Sequence, residues 1–335
     1  MSGPTVHDVA SVAQVSLATV DRVLNNRGGV SAKVVAKVKA AVAQTGYVRN
    51  IAAANLSRRK VYKFCFIVPS SDTGFVALLL QALEYQRVAL VEEQILIQIV
   101  QTRAFDVAGQ VEAMRNLDCD AVALMTSEAP EIQEEVTRLR ASGVRVVTLV
   151  ADLPHSDREG YVGLDNVAAG RTAAEFMGRF IRPAGAVLMI AGSLSSRDHN
   201  ERLMGFRAVM KERFDSLTLL PTVEGDDNAA TVKRLITDAA AQQPLVGIYG
   251  IGAGNRGLVS AVQALDPKPV VIVHELTPTS RDGLRDGIVD LVLDQDAPAA
   301  VVAAVRLMRN LIELRDLPKD TGKIRMNIYS RENIS

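Results

Sequence analysis

Gly252, Gly254 and Gly257 spell G-x-G-x-x-G after the apolar run LVGIY and ahead of a helix-like stretch. A loop of this kind can cradle a pyrophosphate on backbone N–H groups, and Glu275, at the end of the next apolar run, stands near the spacing of a ribose-binding acid. Taken alone, that pattern describes an NAD-dependent oxidoreductase. A wider set of polar residues also follows apolar runs: Asp72, Asp152, Arg197, Asp198, His199, Asn200, Asn255, His274, Glu275, Gln295 and Asp296. Carboxylates among them suit a small polyhydroxylated molecule, because each oxygen can accept from a different hydroxyl. The four histidines, at 7, 155, 199 and 274, show no H-E-x-x-H or short paired spacing. Hydrogen bonding is therefore expected of them, and no metal or other cofactor. No Walker loop, nucleophile elbow or cysteine–histidine pairing is evident.

The elements that must position these residues alternate from residue 63 onward. Strand-like runs FCFIVPS, QILIQIV, DAVALM, RVVTLV, GAVLMIA, LVGIYG, PVVIVHE, DLVLDQ and IRMNIY are separated by helix-like stretches such as 107–116, 130–141, 166–181, 199–213, 227–242, 253–266 and 296–315. Continuous apolar strands alternating with helices imply parallel sheets covered on both faces. So many units suit two doubly wound α/β lobes, which bind ligands beyond the C-terminal ends of their strands. The glycine motif comes late in this series, after several strand–helix units, which weighs against a dinucleotide site.

The first sixty residues read differently. Thr5 with Asp8 three residues on resembles a capping box, with apolar Val6, Val9, Ala10 and Ala13 behind it. Gln14 and Val15 make a tight connection, and Ser16 caps a second helix that buries Val20, Val23 and Leu24. After NNRGG, Ser31 caps a third helix carrying Val34, Val35, Val38, Ala41 and Val42, and Gly46 ends it. Two short helices joined by a three-residue turn and braced by a third form a helix-turn-helix, whose second helix enters the major groove. Leu17, Ala18, Thr19 and Arg22 are then free to face DNA. The stretch carries nine Lys and Arg against Asp8 and Asp21, a net +7, while the remainder of the chain carries −7. A basic front on an acidic body suits a polyanion partner for the front only.

Bulk properties agree with a globular, multi-domain chain. Its 335 residues are 48% hydrophobic and 23% charged, with zero net charge. No apolar run approaches the roughly 20 residues of a membrane span. The opening MSGPTVHDVA lacks a basic segment followed by an apolar one, so a cytoplasmic location is expected. Cys65 and Cys119 lie in apolar stretches and read as reduced core residues.

The segment TVHDVASVAQVSLATVDRVLNNRGGVSAKVVAKVKAAVAQTGYVRN resembles the DNA-binding domain of the LacI (lactose-repressor) family, keeping almost all of its T-x-x-D-V-A-x-x-A-x-V-S-x-x-T-V-S-R-V-L-N pattern. The resemblance implies that Leu17, Ala18 and Arg22 read bases, and that Ser16, Thr19 and Asn25 anchor to phosphate, with Ser31 and Asn50 at further DNA-contacting positions. Asp21 stands where the family usually has serine, which puts the usual contact there in doubt. Residues 49–61 correspond to a hinge helix, in which Leu56 holds the position of a leucine that wedges into the minor groove.

The stretches YVGLDNVAAGRTAAEFM, ERLMGFRAVM, GIGAGNRG, VHELTP and LVLDQDAP resemble the type I periplasmic sugar-binding fold, the effector domain of the same family. By position, Asp152, Glu275 and Gln295 correspond to residues that hold sugar hydroxyls, and Asp165 and Asn166 lie near the lobe hinge. Asp72, Phe75, Arg197, His199, Asn255 and His274 complete the expected ligand set. Asn200 stands where an arginine often binds the ligand. With aromatics at 4% and no tryptophan, stacking on a sugar ring falls to Phe75 or Tyr249. One lobe of this fold also accounts for the glycine motif. The expectation is an α/β chain: an N-terminal three-helix domain over 1–48, a hinge over 49–61, and two doubly wound lobes over 62–335, lobe one at about 62–164 and 293–328 and lobe two at about 165–292. Its expected role is a repressor, not an enzyme, that binds near-palindromic operator DNA as a homodimer under control of a sugar or polyol, without a membrane.

Overall fold

The structure, a computed structural model, describes residues 4–24, 28–47, 61–71, 74–252, 254–315 and 321–334. The expectations for Asn25, Asn50, Leu56, Asp72 and, apart from Val61, the hinge over 49–61 lie outside the described residues. The chain divides into two compact units, Met1–Lys60 and Val61–Ser335.

In the first unit, α1 (Val6–Ala13) opens on a reciprocal cap. Asp8 N–H donates to Thr5 Oγ1, and Thr5 N–H donates to Asp8 Oδ2 at 2.7 Å. These bonds satisfy donors that the first turn leaves without helical partners. Gln14 takes a left-handed φ of 52° and ends the helix, so the chain reverses over Gln14, Val15 and Ser16 into α2 (Leu17–Leu24). Thr19 N–H donates to Ser16 Oγ at 3.2 Å, the cap expected there. Helix α3 (Ala32–Thr45) ends at Gly46 in the left-handed region. Ser31 occupies its N-cap position without a side-chain cap bond; only its carbonyl enters the helix, accepting from Val34 and Val35. Val9, Ala10, Ala13, Val20, Val23, Val38 and Ala41 form the core shared by the three helices.

The second unit holds two sheets. The first has the order β2 (Ile95–Thr102), β1 (Tyr62–Pro69), β3 (Ala121–Leu124), β4 (Arg145–Leu149), β5 (Gly160–Val162), all parallel. Alternate residues of β1 feed its two faces. Phe64, Phe66 and Val68 pack with α4 (Gly74–Ala89) and α12 (Ala297–Ile312). Cys65 and Ile67 pack with α5 (Val107–Arg115) and α6 (Pro130–Ala141). A strand buried on both faces must be apolar throughout, which is why FCFIV shows no alternation. Burial pushes the Cys65 thiol up to about 12, leaving it a small hydrophobe.

The second sheet has the order β12 (Asn327–Tyr329), β11 (Leu291–Asp294), β10 (Val270–His274), β9 (Leu245–Gly250), β6 (Gly185–Ala191), β7 (Leu217–Leu219), with β8 (Val223–Glu224) also on β6. One face packs on α7 (Asn166–Phe180) and α8 (Arg197–Arg213), the other on α9 (Ala229–Gln242), α10 (Asn255–Gln263) and α11 (Pro278–Arg285). All pairs are parallel except β11–β12.

Among the described residues, 163–165, 295–296 and 321–326 belong to connections between the sheets. The first and third touch, with Gly163 N–H donating to Gly322 O and Ile324 N–H donating to Gly163 O. The stretch 293–328 is therefore divided between the lobes. Helix α12 packs on the first sheet, whereas the end of β11 and β12 belong to the second. The boundary expected at 293 falls inside a strand because β11 delivers its last residues to the cleft before the chain crosses. The short strands β5, β7 and β8 and helices α4 and α11 are additions to the elements that periodicity predicts.

Candidate functional site

On α2, Val20 and Val23 point into the core while Ser16, Leu17, Ala18 and Arg22 are exposed and Thr19 is half-buried. Leu17 is 41% exposed. Residues 18 and 22 are one helical turn apart, so Leu17, Ala18 and Arg22 form one outward face. Thr19 Oγ1 lies 2.8 Å from Ser16 Oγ, holding both hydroxyls at the start of the helix. The arrangement suits a helix laid into a groove by its N-terminal end.

In the second unit, the strand orders reverse between β1 and β3 and between β6 and β9. A doubly wound sheet leaves a crevice beyond the strand ends at such a reversal. In lobe one those ends carry Thr102 as the last residue of β2, Thr126, Ser127 and Glu128 after β3, and Asp152 after β4. The hydroxyls of Thr102, Thr126 and Ser127 are buried without a hydrogen-bond partner. Buried polar atoms are nearly always paired, by protein, water or ligand, so these three are hydrogen-bonding capacity held in reserve.

Asp152 is fully engaged within its own lobe. Arg158 grips both oxygens, with Nη2 donating to Oδ2 at 2.6 Å, and Thr148 Oγ1 and Leu153 N–H donate to Oδ1. A ligand hydroxyl at Asp152 competes with this clamp. Phe75 is half-buried and packs against the first core.

Lobe two is organised around Arg202, a residue that the strand-end rule passes over because it sits a full turn into α8. Gly170 and Gly205 bring α7 and α8 into backbone contact. A Cβ at Gly170 would meet Arg202 O at 1.9 Å, and one at Gly205 would meet Val167 O at 2.1 Å. This close approach lets the buried Arg202 guanidinium tie the strand ends together. Its Nε donates to Asn166 Oδ1 and its Nη1 to Ile251 O, both at 3.0 Å. Its Nη2 lies 3.9 Å from both Asp198 Oδ2 and Glu275 Oε1 and has no hydrogen-bond partner. That spacing exceeds a direct hydrogen bond and leaves room for one bridging oxygen.

One cation thus faces two carboxylates. Burial works to raise Asp198, but His199, Arg202 and the Ser196 hydroxyl together hold it below the usual carboxylate range. Burial pushes Glu275 up to about 8, against the opposing pull of Arg202. Gln295 Nε2 donates to Glu275 Oε1 at 2.7 Å, joining the ends of β10 and β11. Glu275 holds a left-handed φ of 71°, a strained position for a residue with a side chain and one that clusters at functional sites.

The other expected residues are distributed around this centre. Asn255 Nδ2 donates to His274 O at 3.1 Å. His274 Nε2 lies 2.8 Å from Tyr249 Oη, and its Nδ1 is buried and unpartnered. Burial, then Arg202 and His199, hold this imidazole well below its ordinary range, hence neutral. His199 turns its Nδ1 to the Ser193 backbone. Asn200 is exposed and donates to Leu194 O at 2.6 Å, so the loop consumes its amide. Tyr249 is a correction: it is fully buried, stacks on Phe206 at 4.5 Å between centroids, and offers no face to a ring in the cleft. Its ring belongs to the core beneath the sheet, so the scarcity of aromatics misdirected the stacking expectation.

The glycines at 252, 254 and 257 make room for the chain itself. A Cβ at Gly252 would meet Gly192 N at 2.5 Å, one at Gly254 the Val232 side chain, and one at Gly257 Ala229 O at 1.8 Å. Gly254 also needs its φ of 95°. Packing accounts for the motif without a pyrophosphate. Among the described residues no group of three or more His, Cys, Asp and Glu could hold a metal ion, and no helix is long and apolar enough to cross a membrane.

Of the residues sequence reasoning missed, Thr126, Ser127 and Glu128 directly follow the quoted run DAVALM, so the strand-end rule extended by three positions finds them. Arg202 lies inside ERLMGFR, where its spacing from Gly205 is the available signal. Nothing in the sequence marks Arg158 as the partner of Asp152.

Comparison with known proteins agrees with both units. A family profile described as a periplasmic binding protein domain matches residues 64–316, and one described as bacterial regulatory proteins, lacI family, matches residues 5–50. The HTH-type transcriptional regulator DegA of Bacillus subtilis is 24% identical over 209 residues, covering 62% of this chain and 61% of DegA. The sucrose operon repressor of Vibrio alginolyticus is 39% identical over 92 residues, covering 27% of this chain and 94% of that sequence. In fold, the glucose-galactose binding protein GanP of Geobacillus stearothermophilus superposes with a TM-score of 0.74 at 18% identity, over 82% of this chain and 99% of GanP. With a helix-turn-helix in front and two doubly wound lobes behind, the chain belongs to the LacI family of bacterial regulatory proteins.

Proposed function

We propose that the protein is a cytoplasmic repressor that binds a near-palindromic operator as a homodimer and responds to a neutral sugar or polyol in the cleft of its second unit. It acts by binding and carries no catalysis. The observation that carries the ligand reading is the set of buried, unpartnered polar atoms at strand ends and on α8: Thr102, Thr126 and Ser127 in one lobe, Arg202 Nη2 and His274 Nδ1 in the other. Donors and acceptors held apart in this way match a molecule presenting several hydroxyls. Charge favours a neutral one. With Glu275 protonated near neutrality, the carboxylates of Glu128, Asp152, Asp198 and Glu201 still outnumber the guanidinium groups of Arg158, Arg197 and Arg202, so a phosphorylated sugar meets net repulsion. Names of relatives point the same way: one is a sucrose operon repressor and one a glucose-galactose binding protein.

The dimer follows from the small size of the reading surface on α2, which supplies too few base contacts alone. Thermal-shift screening of the full chain with free pentoses, hexoses, polyols and their phosphates tests the ligand class. Stabilisation by a phosphorylated sugar and by none of the neutral compounds would overturn it. Selection from random DNA, followed by titration of the recovered sequence, tests the operator half; absence of an inverted repeat counts against a two-fold dimer.

A further inference from the structure

Arg197 is the first residue of α8 in lobe two, yet its side chain reaches lobe one. Its Nη1 donates to both oxygens of Glu128, at 3.4 and 3.3 Å, while its Nε donates to Glu201 Oε1 at 2.8 Å. Glu128 lies in the loop after β3, so the contact joins the strand-end side of one sheet to that of the other. A cation in the first turn of a helix opposes the helix dipole; within α8 the Arg197 charge is met by Glu201, one turn on, and its second partner, Glu128, lies in the other lobe. Glu128 and Glu201 hold its charge in place: partial burial lowers the Arg197 pKa, but the two carboxylates outweigh this and raise it. Nearby acids crowd the same spot, with Asp152 and Asp198 both acting on Glu201. Without Arg197, carboxylates from the two lobes would face one another across the cleft.

We propose that Glu128–Arg197–Glu201 is a charge latch that sets the resting separation of the two lobes. The latch rests on the reading of the cleft as an effector site but is tested without an effector. It converts like-charge repulsion between lobes into attraction through one guanidinium, so it biases how far the cleft opens before any molecule enters. The three side chains are each between a quarter and a third exposed, so salt weakens the latch. A pair this accessible shifts a two-state population by up to about fivefold, which suits a bias that an effector can overcome.

The test is the distribution of distances between spin labels on the full chain, in buffer without sugar. Labels go at Glu112→Cys on lobe one and Met204→Cys on lobe two, both exposed positions, in a Cys119→Ser background; Cys65 is buried and stays unlabelled. Glu128→Gln should shift the distribution to longer distances, and Arg197→Glu should shift it further. The exchanged pair Glu128→Arg with Arg197→Glu should return it toward the parent. Raising salt should move the parent toward Glu128→Gln and leave Glu128→Gln unmoved. Identical distributions for the parent and Glu128→Gln at low salt would overturn the latch, as would an exchanged pair no closer to the parent than Arg197→Glu alone. Failure of every sugar in the thermal-shift screen would instead count against the effector site and leave these distances unaffected.

Discussion

Arg202 Nη2 and Glu275 Oε1 stand 3.9 Å apart in the floor of lobe two, close enough to attract and too far to hydrogen-bond. Arg202 is already shared with Asp198, and Glu275 is the member that burial raises to about 8. The pair is therefore poised: Glu275 holds a proton near neutrality and can lose it.

This gives a pH prediction with a definite sign. The folded pKa of Glu275 lies above its ordinary 4.5, so between those values the folded state binds the extra proton. Unfolding free energy then falls as pH rises through about 8, by at most about 1.4 kcal/mol per unit. Glu275→Gln should flatten the stability profile between pH 7 and 9, above the range in which His274 would titrate. Urea titrations of both proteins across that window check it; parallel profiles would show that Glu275 is already ionised at neutral pH.

The α7–α8 contact that lodges Arg202 should be intolerant of side chains. Gly205→Ala places a methyl about two ångströms from a backbone carbonyl that cannot move alone. Overpacking of this kind should cost about 3 kcal/mol or more, a loss of roughly 6–12 °C in Tm for a unit of this size. Calorimetry checks it, and a loss under 1 °C would mean that the helices separate freely.

How much of this was legible in the sequence depends on distance along the chain. Repeating apolar runs announced the strands, because burial on both faces leaves a continuous signature. The helix-turn-helix was legible because caps such as Thr5/Asp8 and the left-handed Gln14 are local. Strand-end position located Glu275 and Gln295, which do meet. The scarcity of aromatics pointed to Tyr249 as a stacking ring, but its side chain faces the core. Arg202 and Arg158 went unseen for a different reason. Their importance lies in partners 36 and 6 residues away, and no period connects a helix turn to a strand end.

Arg22 should behave as a base-reading residue. It is exposed on the same face of α2 as Leu17 and Ala18, and a two-pronged arginine–guanine contact is worth roughly 1–3 kcal/mol of discrimination. Arg22→Ala should lose preference for the selected operator while keeping salt-sensitive binding to random DNA. Anisotropy titrations on both sequences measure the ratio, and an unchanged ratio would remove α2's assumed docking.

Glu275→Ala tests the switch. Glu275 is joined to Gln295 by a 2.7 Å hydrogen bond and lies beside Arg202, so its removal leaves a buried amide and a guanidinium with fewer partners. An effector placed there should bind far more weakly. A bound effector can shift the lobes only by its differential affinity for their arrangements, and a coupling of 1–3 kcal/mol would change operator affinity about 5- to 150-fold. The variant should lose that response while its operator affinity without effector stays close to the parent's, because the α2 face belongs to a separate unit with its own core. Calorimetry with the sugar found by screening, beside an operator titration with and without it, measures both halves. Unchanged sugar affinity would remove Glu275 from the site. Lost sugar binding with an intact DNA response would place the controlling site elsewhere.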